Sequence, residues 1–241
     1  MIDWLLRPKE QPLAIEIAGR LVPLVLRRTA QVKRMTMRLA PNGSEIRITL
    51  PQWGRSAEAL AFARSKSSWL AAQIDALPPA ARPADGATLR FRGDPLEIVH
   101  EPSRPRQIVI DDGQMLVGGP AESLPGRVTR WLQGEARSLM SADLDHYCLK
   151  AAKPVPGLML SSAQRRWGSC ARDGTIRINW RLVMAPDFVR RSVVAHEVAH
   201  LVHFDHSPAF HAFLGDIYEG DVRAADRWLK REGRSLYLPL G

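Results

Sequence analysis

Residues 193–201 read Val-Val-Ala-His-Glu-Val-Ala-His-Leu, and no other segment constrains the fold as tightly. On a helix, residues four apart lie on one face, one turn above each other. The apolar neighbours Val193, Val194, Ala195, Val198, Ala199 and Leu201 call for burial of that helix, and a buried Glu between two buried His needs a reason. A metal ion supplies one: His196 and His200 can both reach a single ion at about 2.0–2.1 Å. Glu197, next to the first ligand, is placed to accept a proton from metal-activated water and pass it to a leaving amine.

A tetrahedral catalytic site takes a third protein ligand and keeps its fourth position for water. His203 stands seven residues from His196, roughly 10 Å of helix rise, too far to share an ion if the helix stays regular. It is expected at the helix end, near the C-terminal dipole. His206 follows Phe204-Asp205 and precedes Ser207-Pro208, a helix start, so the chain can turn there and return its ring to the metal. His206 is the favoured ligand, with Glu219 and Asp221 as rivals, and His211 is expected to pack beside Phe210 and Phe213. The spacing from His196 to His206 matches the metzincin pattern, but that pattern has Gly where His203 stands, and no Met follows.

Periodicity divides the chain into three regions, 1–80, 81–122 and 123–241, of α+β class with strand hairpins first. In the first region Ile15, Ile17, Leu21 and Val25 have strand-like company. Met35, Met37 and Leu39 alternate with Arg34, Thr36 and Arg38, turn at Pro41-Asn42-Gly43, and return through Ile46, Ile48 and Leu50. Ser56 is a candidate N-cap for a helix whose stripe is Leu60, Ala63, Ser67, Leu70, Ile74 and Leu77. This helix is expected to cover the apolar face of the hairpin. After the Pro-rich breaker at 78–83, short strands are expected at 89–91, 96–99, 108–110 and 115–117. A long helix then runs from Pro125 to Lys150 on Val128, Leu132, Leu139 and Leu144. Strands at 158–161 and 175–178 and helices at 187–204, 208–217 and 221–232 complete the chain, and no internal repeat is visible.

The formal charge of +9 is uneven: residues 1–66 hold 12 Lys+Arg against 5 Asp+Glu. Arg27, Arg28, Lys33, Arg34 and Arg38 fall in a stretch without an acid between Glu16 and Glu45, a field suited to nucleic acid or a nucleotide. Arg34 and Arg38 are the candidate contacts. No segment approaches the roughly 18 uncharged apolar residues of a membrane span, and the first residues hold an early acid and no apolar h-region. Cys148 and Cys170 are too few for a disulfide framework. A cytoplasmic protein with no membrane partner is expected.

Arg166-Trp167-Gly168-Ser169-Cys170, then Gly174-Thr175-Ile176-Arg177-Ile178-Asn179, Leu182, the 193–201 segment, His206-Ser207 and Phe210 carry a further signal. Together with the basic N-terminal hairpin and Arg227-Trp228-Leu229, this pattern resembles the YgjP-like metallopeptidase family, itself similar to the SprT and WLM groups. Asp205 and His211 depart from that pattern, which commonly has Asn and Trp there, and neither change removes a ligand. The resemblance implies a zincin-like catalytic core in which Zn2+ is held by His196, His200 and His206, with Glu197 as base and a peptide or protein as substrate. Trp167, Arg166 and Asn179 are candidate substrate contacts, with Thr175–Asn179 placed for strand addition and Trp167 and Cys170 also readable as seam packing. Two alternatives keep the metal and change the activity: hydrolysis of a nucleotide phosphoanhydride, or nucleic-acid binding around a structural zinc.

Overall fold

The computed structural model describes residues 13–76 and 82–237. Leu77, expected to end a helix stripe, and most of the breaker run fall outside them, as do the first twelve residues. The architecture is mixed α+β, with six α-helices and three small sheets among the described residues. Contacts divide it into two compact units, Met1–Pro78 and Pro79–Gly241.

In the first unit, β1 (Ala14–Ile17), β2 (Arg20–Thr29), β3 (Thr36–Leu39) and β4 (Ile46–Pro51) form a sheet of order β1-β2-β4-β3. The expected β3–β4 hairpin is present, with Met37 opposite Ile48 and Arg38 opposite Arg47. Unforeseen is the parallel pairing of β2 with β4, a long-range contact that no local pattern announces. The two-residue turn at Ala18-Gly19, both at positive φ, sets Ile15 opposite Val22. A shift of one residue exchanges the faces of a strand. Val22 and Leu24 therefore face the core, whereas Leu21 (76% exposed) and Val25 (42% exposed) face solvent.

The covering helix is two helices, α1 (Ser56–Ser65) and α2 (Ser67–Asp75), broken at Lys66, whose backbone (φ −111°, ψ 16°) leaves the helical region. Ala59, Ala63, Leu70 and Ile74 bury against Ile15, Ile17, Ile46, Ile48 and Leu50. The N-cap is Arg55 rather than Ser56: the Arg55 amide donates to Glu58, and the Ser56 hydroxyl accepts from Arg28 instead.

The second unit opens with β5 (Thr88–Phe91), β6 (Asp94–His100), β7 (Val109–Asp111) and β8 (Gln114–Val117), in the order β5-β6-β8-β7. α3 (Leu124–Lys150) follows, with Leu124, Val128, Leu132, Ala136, Met140 and Leu144 buried. Leu89, Leu96, Ile98, Met115 and Val117 from the hairpins share one core with α3 and the later elements. β9 (Leu158–Ser161), β10 (Gly168–Cys170) and β11 (Ile176–Asn179) make a three-stranded sheet with β11 in the middle, parallel to β9 and antiparallel to β10. A 3-10 turn, Trp180–Met184, leads into α4 (Asp187–Ala199), then α5 (Pro208–Ile217) and α6 (Val222–Glu232).

The N-terminus of α4 is fixed by charge and by a hairpin tip. Arg92 and Gly93, at the β5–β6 turn, donate their amides to the Val183 and Met184 carbonyls at 2.8 and 3.2 Å. The Arg92 guanidinium pairs with Asp187, which also pairs with Arg190, and Arg190 donates to Asp143 of α3 at 2.7 Å. Arg190 is 3% exposed, so its two carboxylates are the compensation for burying a charge. No helix among the described residues is long and apolar enough to cross a membrane.

Candidate metal centre

α4 places His196 in its last turn with Glu197 beside it, and His200 is its C-cap. The helix was expected to continue to 204. It ends at His200, where the Leu201 and Val202 amides tighten onto the Val198 and Ala199 carbonyls in i→i+3 turns, and beyond that turn the His200 Nδ1 donates to the His203 carbonyl at 2.9 Å. That bond fixes the tautomer, since a carbonyl only accepts, and leaves the Nε2 lone pair of His200 free for a metal. The turn also delivers His206. Its Nε2 and that of His200 each stand 3.2 Å from Nε2 of His196.

Ser207 caps α5, its hydroxyl accepting from the Phe210 amide, and this sets Phe210 beneath the cluster. The fully buried Phe210 ring lies 4.7–4.9 Å, centroid to centroid, from the three imidazoles. Phe210 therefore spaces the histidines, a role that the sequence pattern did not disclose. Burial, with the neighbouring His200 and His206, pushes the His196 pKa down to about 4. A neutral imidazole is the form that binds metal. These three residues could hold one metal ion.

Glu197 is 5% exposed, and burial raises its pKa to about 7, against the lowering effects of the Cys170 amide and the Arg166 charge. The strand above it presses close. A Cβ on Gly168 would lie 2.7 Å from the Glu197 carboxyl carbon, so the backbone of β10 can approach only because residue 168 has no side chain. Gly168, Ser169, Cys170, Phe204 and the three histidines surround the cleft over Glu197.

The family model for the YgjP-like metallopeptidase domain matches residues 33–232. The chain belongs to the YgjP-like family. No curated protein and no solved structure gave a match. Membership makes the protein a metallopeptidase-type hydrolase and implies a metal ion, and the His196, His200 and His206 triad is where the YgjP-like chain could bind one.

The remaining candidates divide between the cleft and the scaffold. Glu219 is engaged by Arg191, Lys150 and Tyr147, and Asp221 caps α6 by accepting from the Arg223 amide. Neither rival carboxylate joins the triad. The His203 ring packs edge-on to Phe213, and His211 lies against Phe210. Arg166 reaches Glu197 only through its charge. Trp167 packs on Tyr237 and also walls a cavity beside Glu197.

Asn179, expected at the substrate, is fully buried instead. Its Nδ2 donates to the Ala163 carbonyl and the Tyr237 hydroxyl, and its Oδ1 accepts from the Arg181 amide. β11, expected to accept an added strand, has both edges paired; the outer strands of the sheet are β9 and β10, and β10 is the one that lines the cleft. Burial pushes the Cys170 thiol pKa up, with Glu197 and Asp173 adding to it, the opposite of what an activated nucleophile needs. Arg34 and Arg38 lie exposed in the other unit.

Proposed function

We propose that this YgjP-like protein is a zinc peptidase of the HExxH type, with His196, His200 and His206 as ligands and Glu197 as general base. The observation that carries the reading is the convergence of three imidazole nitrogens beside a buried carboxylate. Zn–N bonds of about 2.0–2.1 Å in a tetrahedron separate the nitrogens by about 3.3–3.4 Å. The two 3.2 Å spacings to His196 fit that ion with little adjustment.

When bound, the ion supplies Lewis-acid activation of a water and of the substrate carbonyl. Glu197 accepts the water proton on a carboxylate oxygen as the water oxygen attacks the carbonyl carbon. It then gives that proton to the departing amine nitrogen as the C–N bond breaks. A carboxyl poised near neutrality can do both. The Trp167 carbonyl accepts from Asn179 of β11 and the Ala171 amide donates to Thr175, just before that strand. Alternation then turns the backbone groups of Gly168 and Cys170 to the open edge, where an extended peptide can pair, apart from the Cys170 amide that already holds Glu197.

Metal analysis and peptide turnover on one set of variants test this. His196→Ala, His200→Ala and His206→Ala should lose stoichiometric zinc, and His203→Ala should keep it. Glu197→Gln should keep zinc and lose turnover by about 10²–10⁴-fold. A wild-type protein without zinc, or a Glu197→Gln variant with full activity, would end the proposal. Release of phosphate or pyrophosphate from nucleotides, dependent on Glu197, would support the phosphoanhydride alternative instead.

A further inference from the structure

A second cavity, of about 240 Å³, shares Gly168, His196 and Glu197 with the metal cleft and extends between α4 and α6. α6 supplies Val222, Ala225, Asp226 and Leu229, spaced i, i+3, i+4, i+7, so one stripe of the helix faces the cavity. Val193 of α4 forms the facing wall. Trp167 closes it, and its indole is held rigidly, 5.5 Å from the Tyr237 ring and against Gly233, where a Cβ would come within 2.8 Å. The volume lies below the roughly 300–1,000 Å³ of pockets that take whole small molecules, which suits a single side chain.

The polar groups narrow the class. Ser192 is 6% exposed, and its hydroxyl has no hydrogen-bond partner among the described residues although it lines the cavity. Asp226 is already engaged by Lys230 at 2.6 Å, both largely exposed. Among the described residues no cation lines the cavity to receive an acidic side chain, and the Glu197 and Asp226 carboxylates would oppose one.

The geometry points to this cavity as the specificity pocket of the enzyme: it takes a large apolar or aromatic side chain from a residue flanking the scissile bond, and Ser192 gives a hydrogen bond to a phenolic tip. This rests on the peptidase reading, because only a cleavage centre at Glu197 makes the neighbouring cavity a position next to the bond cut.

The test is a set of fluorogenic peptides in which each flanking residue is varied through Leu, Phe, Tyr, Gly and Glu, read as ratios of kcat/KM. At one flanking position wild type should prefer Leu, Phe and Tyr over Gly and Glu by about tenfold or more. Ala225→Leu, which fills the cavity, should cut the Phe-to-Gly ratio by about tenfold, and Leu229→Ala should move the preference toward larger side chains. Ser192→Ala should remove a Tyr-over-Phe advantage of about two- to tenfold. Where Ala225→Leu fails to fold, Leu229→Ala and Ser192→Ala decide. Glu197-dependent cleavage that is indifferent to both flanking residues, or ratios unchanged in these variants, overturns the pocket and leaves the peptidase reading standing. Absence of any Glu197-dependent peptide cleavage overturns both.

Discussion

Gly168 owes its place to a carboxylate and not to a turn. Its φ is not positive, and any other residue would push into Glu197. Gly168→Ala should therefore keep its metal while turnover falls about 10²-fold, because the base is displaced by a fraction of an ångström to an ångström. Zinc analysis beside steady-state kinetics checks this, and a Gly168→Ala variant with wild-type kcat would show that the approach of β10 is incidental. At this scale the sequence was informative about identity and silent about cause. The two helical histidines and Glu197 are legible because helix geometry converts spacing into a shared face. That His206 would return to the two helical histidines was legible from the helix start behind it. Phe210 and Gly168 stood in plain view within the motifs, but close approach between distant segments has no one-dimensional signature. Asn179 was misplaced for a related reason, since one polar residue on a strand reads alike whether it meets substrate or a neighbouring carbonyl.

Among the elements, α4 matters most, and its start is held by the chain of Arg92, Asp187, Arg190 and Asp143. Burial acts to raise the Asp187 pKa, but the Arg92 and Arg190 guanidiniums outweigh it and hold the carboxyl below its ordinary value. A depressed carboxylate stabilises the fold above its unfolded pKa, near 4, and the contribution is lost as pH falls through the folded value. Asp187→Asn should cost about 1–2 kcal/mol at pH 7, with the difference from wild type shrinking as the pH drops below about 4. Denaturant melts across that range check it, and a penalty independent of pH would mean that shape and not charge matters. Most elements were visible from periodicity, while their ends were not. Leu201 and Val202 continue the apolar pattern of α4, yet their amides tighten onto the Val198 and Ala199 carbonyls and the helix ends earlier. Lys66 likewise interrupts a stripe that looks continuous on paper.

The two four-stranded sheets of the molecule share one plan, two hairpins joined through a parallel pair of their second strands. No repeat shows in the residues, because strand pairing order is set by long-range contacts that many sequences satisfy. On the first sheet, Arg38 and Arg47 stand directly opposite each other and both are exposed, with Glu45 pairing only Arg47. Facing like charges destabilise a strand pair. Arg38→Glu should raise stability by about 0.2–1 kcal/mol in thermal melts. It should also weaken binding to single-stranded DNA, which in the parent should fall steeply with added salt. Binding indifferent to both makes this face an ordinary solvated surface. The triad of histidines has one more consequence, for durability. Two of the imidazoles come from the end of α4 and the third from the far side of 201–205, so a shared ion would fasten a short ring of backbone. Chelation would return to that ring the conformational freedom that closure removes. Phe204, 62% exposed at its tip, should then become a chymotrypsin cleavage site in the chelated protein and resist the protease once zinc is restored.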